Sequence, residues 1–149
     1  MTMNAITLFC GSKSGKNPAF EQMANALGAW LADEKITLVY GGGNKGLMGA
    51  TANACLAKGG KVIGIIPKVL LEWEAEHKGL TELIVTENMH ARKMLLYEKG
   101  DAAIVLPGGL GTFDELFEML VWNNLSIHDK KIVLYNFQGF YDPLVAMIQ

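Results

Sequence analysis

Short runs of apolar, mostly β-branched residues recur along the chain. They alternate with longer stretches in which apolar residues return every three or four positions. Residues 5–10 (AITLFC), 36–40 (ITLVY), 61–66 (KVIGII), 82–85 (ELIV), 102–106 (AAIVL) and 131–135 (KIVLY) predict strands. Most of these runs are nearly unbroken, the pattern of a sheet covered on both faces. The longer period predicts helices over residues 18–33, 46–58, 89–99, 112–123 and from Tyr141 onward. Elements of this length in strict alternation imply right-handed crossovers, hence an α/β fold with a parallel, doubly wound sheet. Residues 67–81 follow neither period and carry Trp73 among charged residues, which reads as a loop or short helix over the sheet's edge. No internal repeat or linker breaks the pattern, so residues 1–149 read as a single domain.

Composition narrows the partners. Half of the 149 residues are hydrophobic, and 13 Lys+Arg against 15 Asp+Glu leave a net charge of −2. With a pI near 5.9 there is no basic field for a polyanion, so neither nucleic acid nor an acidic membrane is an expected partner. The mean hydropathy of +0.21 is high, yet every apolar run stops well short of the roughly 18 residues a membrane helix needs. No basic segment precedes an apolar one at Met1-Thr2-Met3-Asn4-Ala5, so no secretory signal is read there. Cys10 and Cys55 are too few for a disulfide framework, and no CxxC or Cys/His cluster suggests zinc. The expectation is a soluble, cytoplasmic protein.

In open α/β sheets, ligands bind beyond the carboxyl ends of the strands. Three predicted strand ends are rich in glycine: Gly11-Ser12, Gly41-Gly42-Gly43-Asn44-Lys45-Gly46 and Pro107-Gly108-Gly109-Leu110-Gly111-Thr112. Such loops expose backbone N–H groups beside helix N-termini, which is how proteins hold phosphate. On this basis Gly11, Ser12, Gly42, Gly43 and residues 108–112 are assigned to a ligand. The second loop satisfies G-x-G-x-x-G, but the region about 20 positions on, Ile65-Ile66-Pro67-Lys68, lacks the carboxylate of a dinucleotide site. A tight strand-to-helix turn fits that loop equally well. In the third loop, Thr112-Phe113-Asp114-Glu115 forms a capping box, which would occupy Glu115 with its own helix; the alternative is a carboxylate facing the ligand. Asn88 reads as an N-cap, which puts Arg92 and Lys93 in the first turns of a helix, where cations oppose the macrodipole. Neutralising a bound phosphate accounts for them, although Lys93 could also pair with Glu82, Glu87 or Glu98. Glu74 and His77 sit in the irregular stretch, where a lone carboxylate reads as solvated.

Together these motifs resemble the Lonely Guy (LOG) family. The resemblance is carried by Cys10-Gly11-Ser12 with Gly15 and Pro18, Tyr40-Gly-Gly-Gly-Asn-Lys-Gly-Leu-Met-Gly49 and Ile65-Ile-Pro67. It continues through Glu74 with His77 and Gly79-Leu-Thr-Glu-Leu83, then Met89-His-Ala-Arg-Lys93, and Pro107-Gly-Gly-Leu-Gly-Thr-Phe-Asp-Glu115. It implies a Rossmann-like, dimeric enzyme that hydrolyses the N-glycosidic bond of a nucleoside 5'-monophosphate to free base and ribose 5-phosphate. By the same resemblance Arg92 and Glu115 are catalytic, Glu74, Lys93 and residues 108–112 contact substrate, and no metal or organic cofactor takes part. Asn124 and Ser126 stand where the family commonly has Gln and Gly, and family members usually continue past the helix that ends this chain, so it reads as a short or truncated version.

Glycoside cleavage passes through an oxocarbenium-like transition state, and Glu115 is the carboxylate expected to stabilise it or activate water. Two other readings remain at this stage. One is a nucleotide-binding sensor or carrier that does not cleave its ligand; the other is an amino-acid decarboxylase, which requires a Schiff-base lysine.

Overall fold

Apolar strands without alternation need cover on both faces, and the helices between them supply it. The computed structural model describes residues 3–73 and 76–149. Its strands are β1 (Ala5–Phe9), β2 (Thr37–Tyr40), β3 (Val62–Pro67), β4 (Glu82–Thr86), β5 (Ala102–Val105) and β6 (Lys131–Leu134). All pair in parallel in the order β4-β3-β2-β1-β5-β6. The helices are α1 (Pro18–Asp33), α2 (Gly46–Ala57), the short α3 (Lys68–Leu71), α4 (Met89–Lys99), α5 (Leu110–Asn124) and α6 (Asp142–Ile148). Observed ends fall within a residue or two of the expected ones. The irregular stretch after β3 holds α3 and leads to the edge strand β4, as its mixed pattern predicts. Glu74 lies outside the described residues. No helix among those described is long and apolar enough to cross a membrane.

Side chains alternate across the sheet into two cores. On one face Ile6, Leu8, Leu38 and Val62 pack against Met23, Ala24 and Leu31 of α1 and Leu47, Ala52 and Cys55 of α2. On the other, Phe9, Val39, Ile65 and Val105 pack against Leu96 and Tyr97 of α4, Leu116 and Met119 of α5, and Tyr141. Each fully buried large aliphatic contributes about 1.5–3 kcal/mol by leaving water. Helices α1 and α2 approach at Gly28, where a Cβ would sit 2.2 Å from the Thr51 carbonyl oxygen.

Local signals set the helix ends. Asn17 caps α1 by accepting from Ala19 N (3.0 Å), with Pro18 in the first turn. Asn88 caps α4 by accepting from Ala91 N (2.9 Å), as the sequence predicts. Helix α5 ends in a Schellman arrangement: Ile127 N donates to Trp122 O (2.9 Å) and Ser126 N to Asn123 O (3.1 Å). Ser126 takes φ 61° there, the left-handed conformation that explains why glycine suits this position.

Candidate functional site

Strand order reverses at β1. The connections run outward through β2, β3 and β4 on one side and through β5 and β6 on the other, so a crevice opens between the carboxyl ends of β1 and β5. Two bonds join its walls: Leu106 N donates to Phe9 O (2.8 Å) and Gly11 N to Pro107 O (3.0 Å). Glycines allow this closeness. A Cβ on Gly11 would lie 3.3 Å from Gly108 Cα, and one on Gly46, at φ 63°, would lie 2.2 Å from the Ser12 carbonyl carbon. The crevice is a cavity of about 590 Å³, the size of a small-molecule site.

Residues predicted from distant parts of the sequence meet on its walls. Gly11, Ser12, Arg92, Lys93, Gly108, Gly109, Leu110, Gly111, Thr112 and Glu115 all line it. Gly42 and Gly43 do not; both are buried and turned toward the 76–79 stretch. Gly42 O accepts from His77 N (2.9 Å), and Gly43 forms an antiparallel bridge with Glu76. In this structure the second glycine loop packs as a turn against that stretch, one of the two arrangements its sequence allows. Lining residues that the sequence reading missed are Lys13 and an apolar set including Phe20, Leu70, Met89 and Phe140.

The expected capping box is not formed. Helix α5 starts two residues earlier, with Gly109 as N-cap, Phe113 N donating to Gly109 O (3.0 Å) and no side-chain cap. Thr112 is instead the third helical residue, buried, and folds back beneath the turn: a Cβ on Gly108 would lie 2.1 Å from its Oγ1. Two consequences follow. The first-turn N–H groups of Leu110, Gly111 and Thr112 have no intrahelical acceptor, and their turn faces the cavity. Glu115 moves to the second turn, half-buried on the cavity wall, where its charge helps raise the Cys10 thiol pKa.

Arg92 is 8% exposed. Its Nε donates to Ile65 O (3.0 Å) at the end of β3, and its Nη2 to Gly41 O (2.8 Å) after β2. Two of its five N–H groups are thus fixed by carbonyls. Lys93 pairs with Asp114 (2.8 Å) and Glu118 (3.5 Å), not with the glutamates considered from sequence. The Asp114 hydrogen bond, followed by the Glu118 charge, raises its pKa against the opposing effect of burial. Cys10 packs in the core beneath the cavity, and burial first, then Glu115, pushes its thiol pKa upward, which disfavours the thiolate. His77 is buried as well.

The profile of the family described as "Possible lysine decarboxylase" matches residues 48–149. The chain is 47% identical over 149 residues to the cytokinin riboside 5'-monophosphate phosphoribohydrolase of Rhodococcoides fascians, covering 99% of this chain and 75% of that protein. It is 45% identical to the probable enzyme of that name LOGL1 of Oryza sativa subsp. japonica, covering 95% and 64%. To LOG7 of Arabidopsis thaliana it is 43% identical, covering 96% and 66%. Among solved structures, a structural-genomics target superposes with a TM-score of 0.77 at 21% identity, covering 97% of this chain and 81% of that one. The molybdenum cofactor carrier protein of Chlamydomonas reinhardtii gives 0.70 at 18%, covering 99% and 100%. At those identities the structural neighbours share the fold alone. The sequence relatives go further: this chain belongs to the cytokinin riboside 5'-monophosphate phosphoribohydrolase, or LOG, family.

Proposed function

We infer that this protein hydrolyses the N-glycosidic bond of a nucleoside 5'-monophosphate, a cytokinin riboside 5'-monophosphate or AMP, releasing the free base and ribose 5-phosphate. The observation that carries this reading is the uncapped N-terminus of α5 facing the same cavity as Glu115 and Arg92. In this reading the amides of residues 108–112 and the positive end of the helix dipole seat the phosphate, with Gly11 and Ser12 on the opposite wall. The ribose then lies over the second turn of α5, within reach of Glu115. As the C1′–N bond breaks, its electron pair leaves with the base and positive charge develops on the sugar. Glu115 stabilises that charge and orients water, whose oxygen bonds to C1′ while its proton passes to the base. Arg92 supplies a fixed positive charge for phosphate and departing base, and Lys93 holds Asp114 in place beside them. On the cavity wall Lys93 is held in ion pairs with Asp114 and Glu118 that raise its pKa, the opposite of what a Schiff-base lysine needs.

The protein works, we propose further, as a cytoplasmic homodimer. Leu110, Phe117, Val121 and Leu125 repeat along α5 and are exposed, as is Ile127 beyond it. An apolar stripe of that extent on a helix bordering the site is the kind of surface a second copy covers. Both cysteines are free, as in a reducing compartment.

The test is incubation of the protein with AMP and an N6-substituted analogue, followed by chromatography for free base. Wild type releases base, whereas Arg92→Ala and Glu115→Ala remain folded and lose at least about 10²-fold in turnover. Wild-type rates in both variants would overturn the assignment. Nucleotide binding without base release by wild type would make the protein a carrier.

A further inference from the structure

His77 lies between α3 and β4, away from the cavity wall, and is 8% exposed. Its Nδ1 accepts from Gly79 N (2.9 Å), which leaves the proton of the neutral ring on Nε2. Nε2 then donates to Asn53 Oδ1 of α2 at 2.5 Å. The ring is thus fixed at both nitrogens, and through it the backbone of the 76–79 stretch is fixed to α2. That backbone grips the turn after β2: His77 N donates to Gly42 O (2.9 Å), and the next contact is the Gly43–Glu76 bridge. Tyr40 closes the turn from the other side, donating from its hydroxyl to Gly43 O (2.7 Å). The peptide carbonyl immediately before this clamp, Gly41 O, accepts from Arg92 Nη2 (2.8 Å).

We propose that His77 is a positioning residue for Arg92. A continuous path of hydrogen bonds and two peptide units runs from Asn53 through the imidazole, Gly42 and Gly41 to the guanidinium. Gly42 sits at φ 83°, and a glycine turn without side chains to pack has many alternative conformations. The 76–79 backbone selects one of them. When the ring is lost, the 76–79 stretch loosens, the Gly41 carbonyl turns with it, and Arg92 keeps its bond to Ile65 but loses its fixed direction. A path through backbone groups predicts a loss of turnover larger than the change in binding, because the amides of α5 that seat the phosphate are untouched and only the contribution of Arg92 is disturbed.

This inference rests on Arg92 acting at the substrate, so the experiment carries an arm for that reading. Steady-state AMP hydrolysis is measured well below the thermal midpoint for His77→Ala, His77→Gln and Asn53→Ala, each in the wild-type and in the Arg92→Lys background. His77→Ala is expected to lower kcat about tenfold with KM changed less than about twofold. His77→Gln, with a neutral donor and acceptor, is expected to restore kcat to within about threefold of wild type. Asn53→Ala is expected to fall between them, and it carries the test should His77→Ala fail to fold. In the Arg92→Lys background, where the fork held by Ile65 and Gly41 is already gone, none of the three lowers kcat further. Wild-type kcat in folded His77→Ala, or equal fold-losses in both backgrounds, would overturn the proposal while leaving the site intact. Wild-type turnover in Arg92→Lys would instead overturn the role of Arg92, and that of His77 with it.

Discussion

The substitution Gly41→Ala separates the position of Arg92 from its presence. Gly41 does not occupy the left-handed region, so alanine meets no backbone penalty there, but its Cβ would lie 2.1 Å from Arg92 Nη2. To reach an ordinary contact the guanidinium must move by well over 1 Å, which breaks the bond to Gly41 O. A hydrogen bond to a charged group is worth about 1.5–3 kcal/mol, so stability should fall by an amount in that range. Misplacement of a catalytic group by 1 Å costs on the order of 10²-fold in rate, equivalent to about 2.7 kcal/mol of transition-state stabilisation. The assay is free base released from AMP, with circular dichroism to establish folding and the thermal midpoint. Gly43→Ala is the control two residues on, because its Cβ meets only the flexible end of Met48, Sδ at 3.0 Å; near-wild-type turnover is expected. If Gly41→Ala folds and keeps wild-type kcat, the fixed guanidinium does not matter to turnover and the reasoning fails.

Further measurements test other parts of the structure. Ser126→Gly relieves a left-handed serine at the end of α5 and should stabilise the fold by about 1 kcal/mol, raising the thermal midpoint by about 2–4 °C; an unchanged or lower midpoint contradicts the Schellman assignment. Burial holds the His77 pKa below its ordinary value. Above about pH 6.5 the ring is neutral in both folded and unfolded chains and its contribution to stability is complete. As pH falls below that value the unfolded chain takes up the proton first, and the contribution is lost. The midpoint of wild type should therefore drop more between pH 7.5 and 5 than that of His77→Gln, and parallel curves would show that His77 titrates normally.

Much of this architecture could be read from local signals. Unbroken apolar runs locate the strands, and Asn17-Pro18 and Asn88 locate two helix starts, because capping chemistry is settled within a few residues. The start of α5 was misread for a physical reason. Thr112 has the side chain of a cap, but Gly108 leaves room for it to fold beneath the turn, and only the folded backbone reveals that space. Long-range pairing escaped in the same way. Nothing near Lys93 in sequence announces Asp114 and Glu118, and His77, outside any helix, finds Asn53 on α2, 24 positions away. Gly42 and Gly43 carry the same composition as the loops that line the cavity, yet the 76–79 stretch covers them. Arg92 and Glu115, 23 positions apart, line the same cavity.

The grip of β3 and of the turn after β2 on Arg92 has a thermodynamic consequence for ligand capture. A free arginine side chain gives up about 2 kcal/mol of rotamer entropy when it is immobilised. Here Ile65 and Gly41 hold the guanidinium without any ligand, so that loss belongs to the folding transition and not to association. On the proposed reading of the site, an arriving anion meets a charge already oriented, and more of the attraction between them remains for the chemical step.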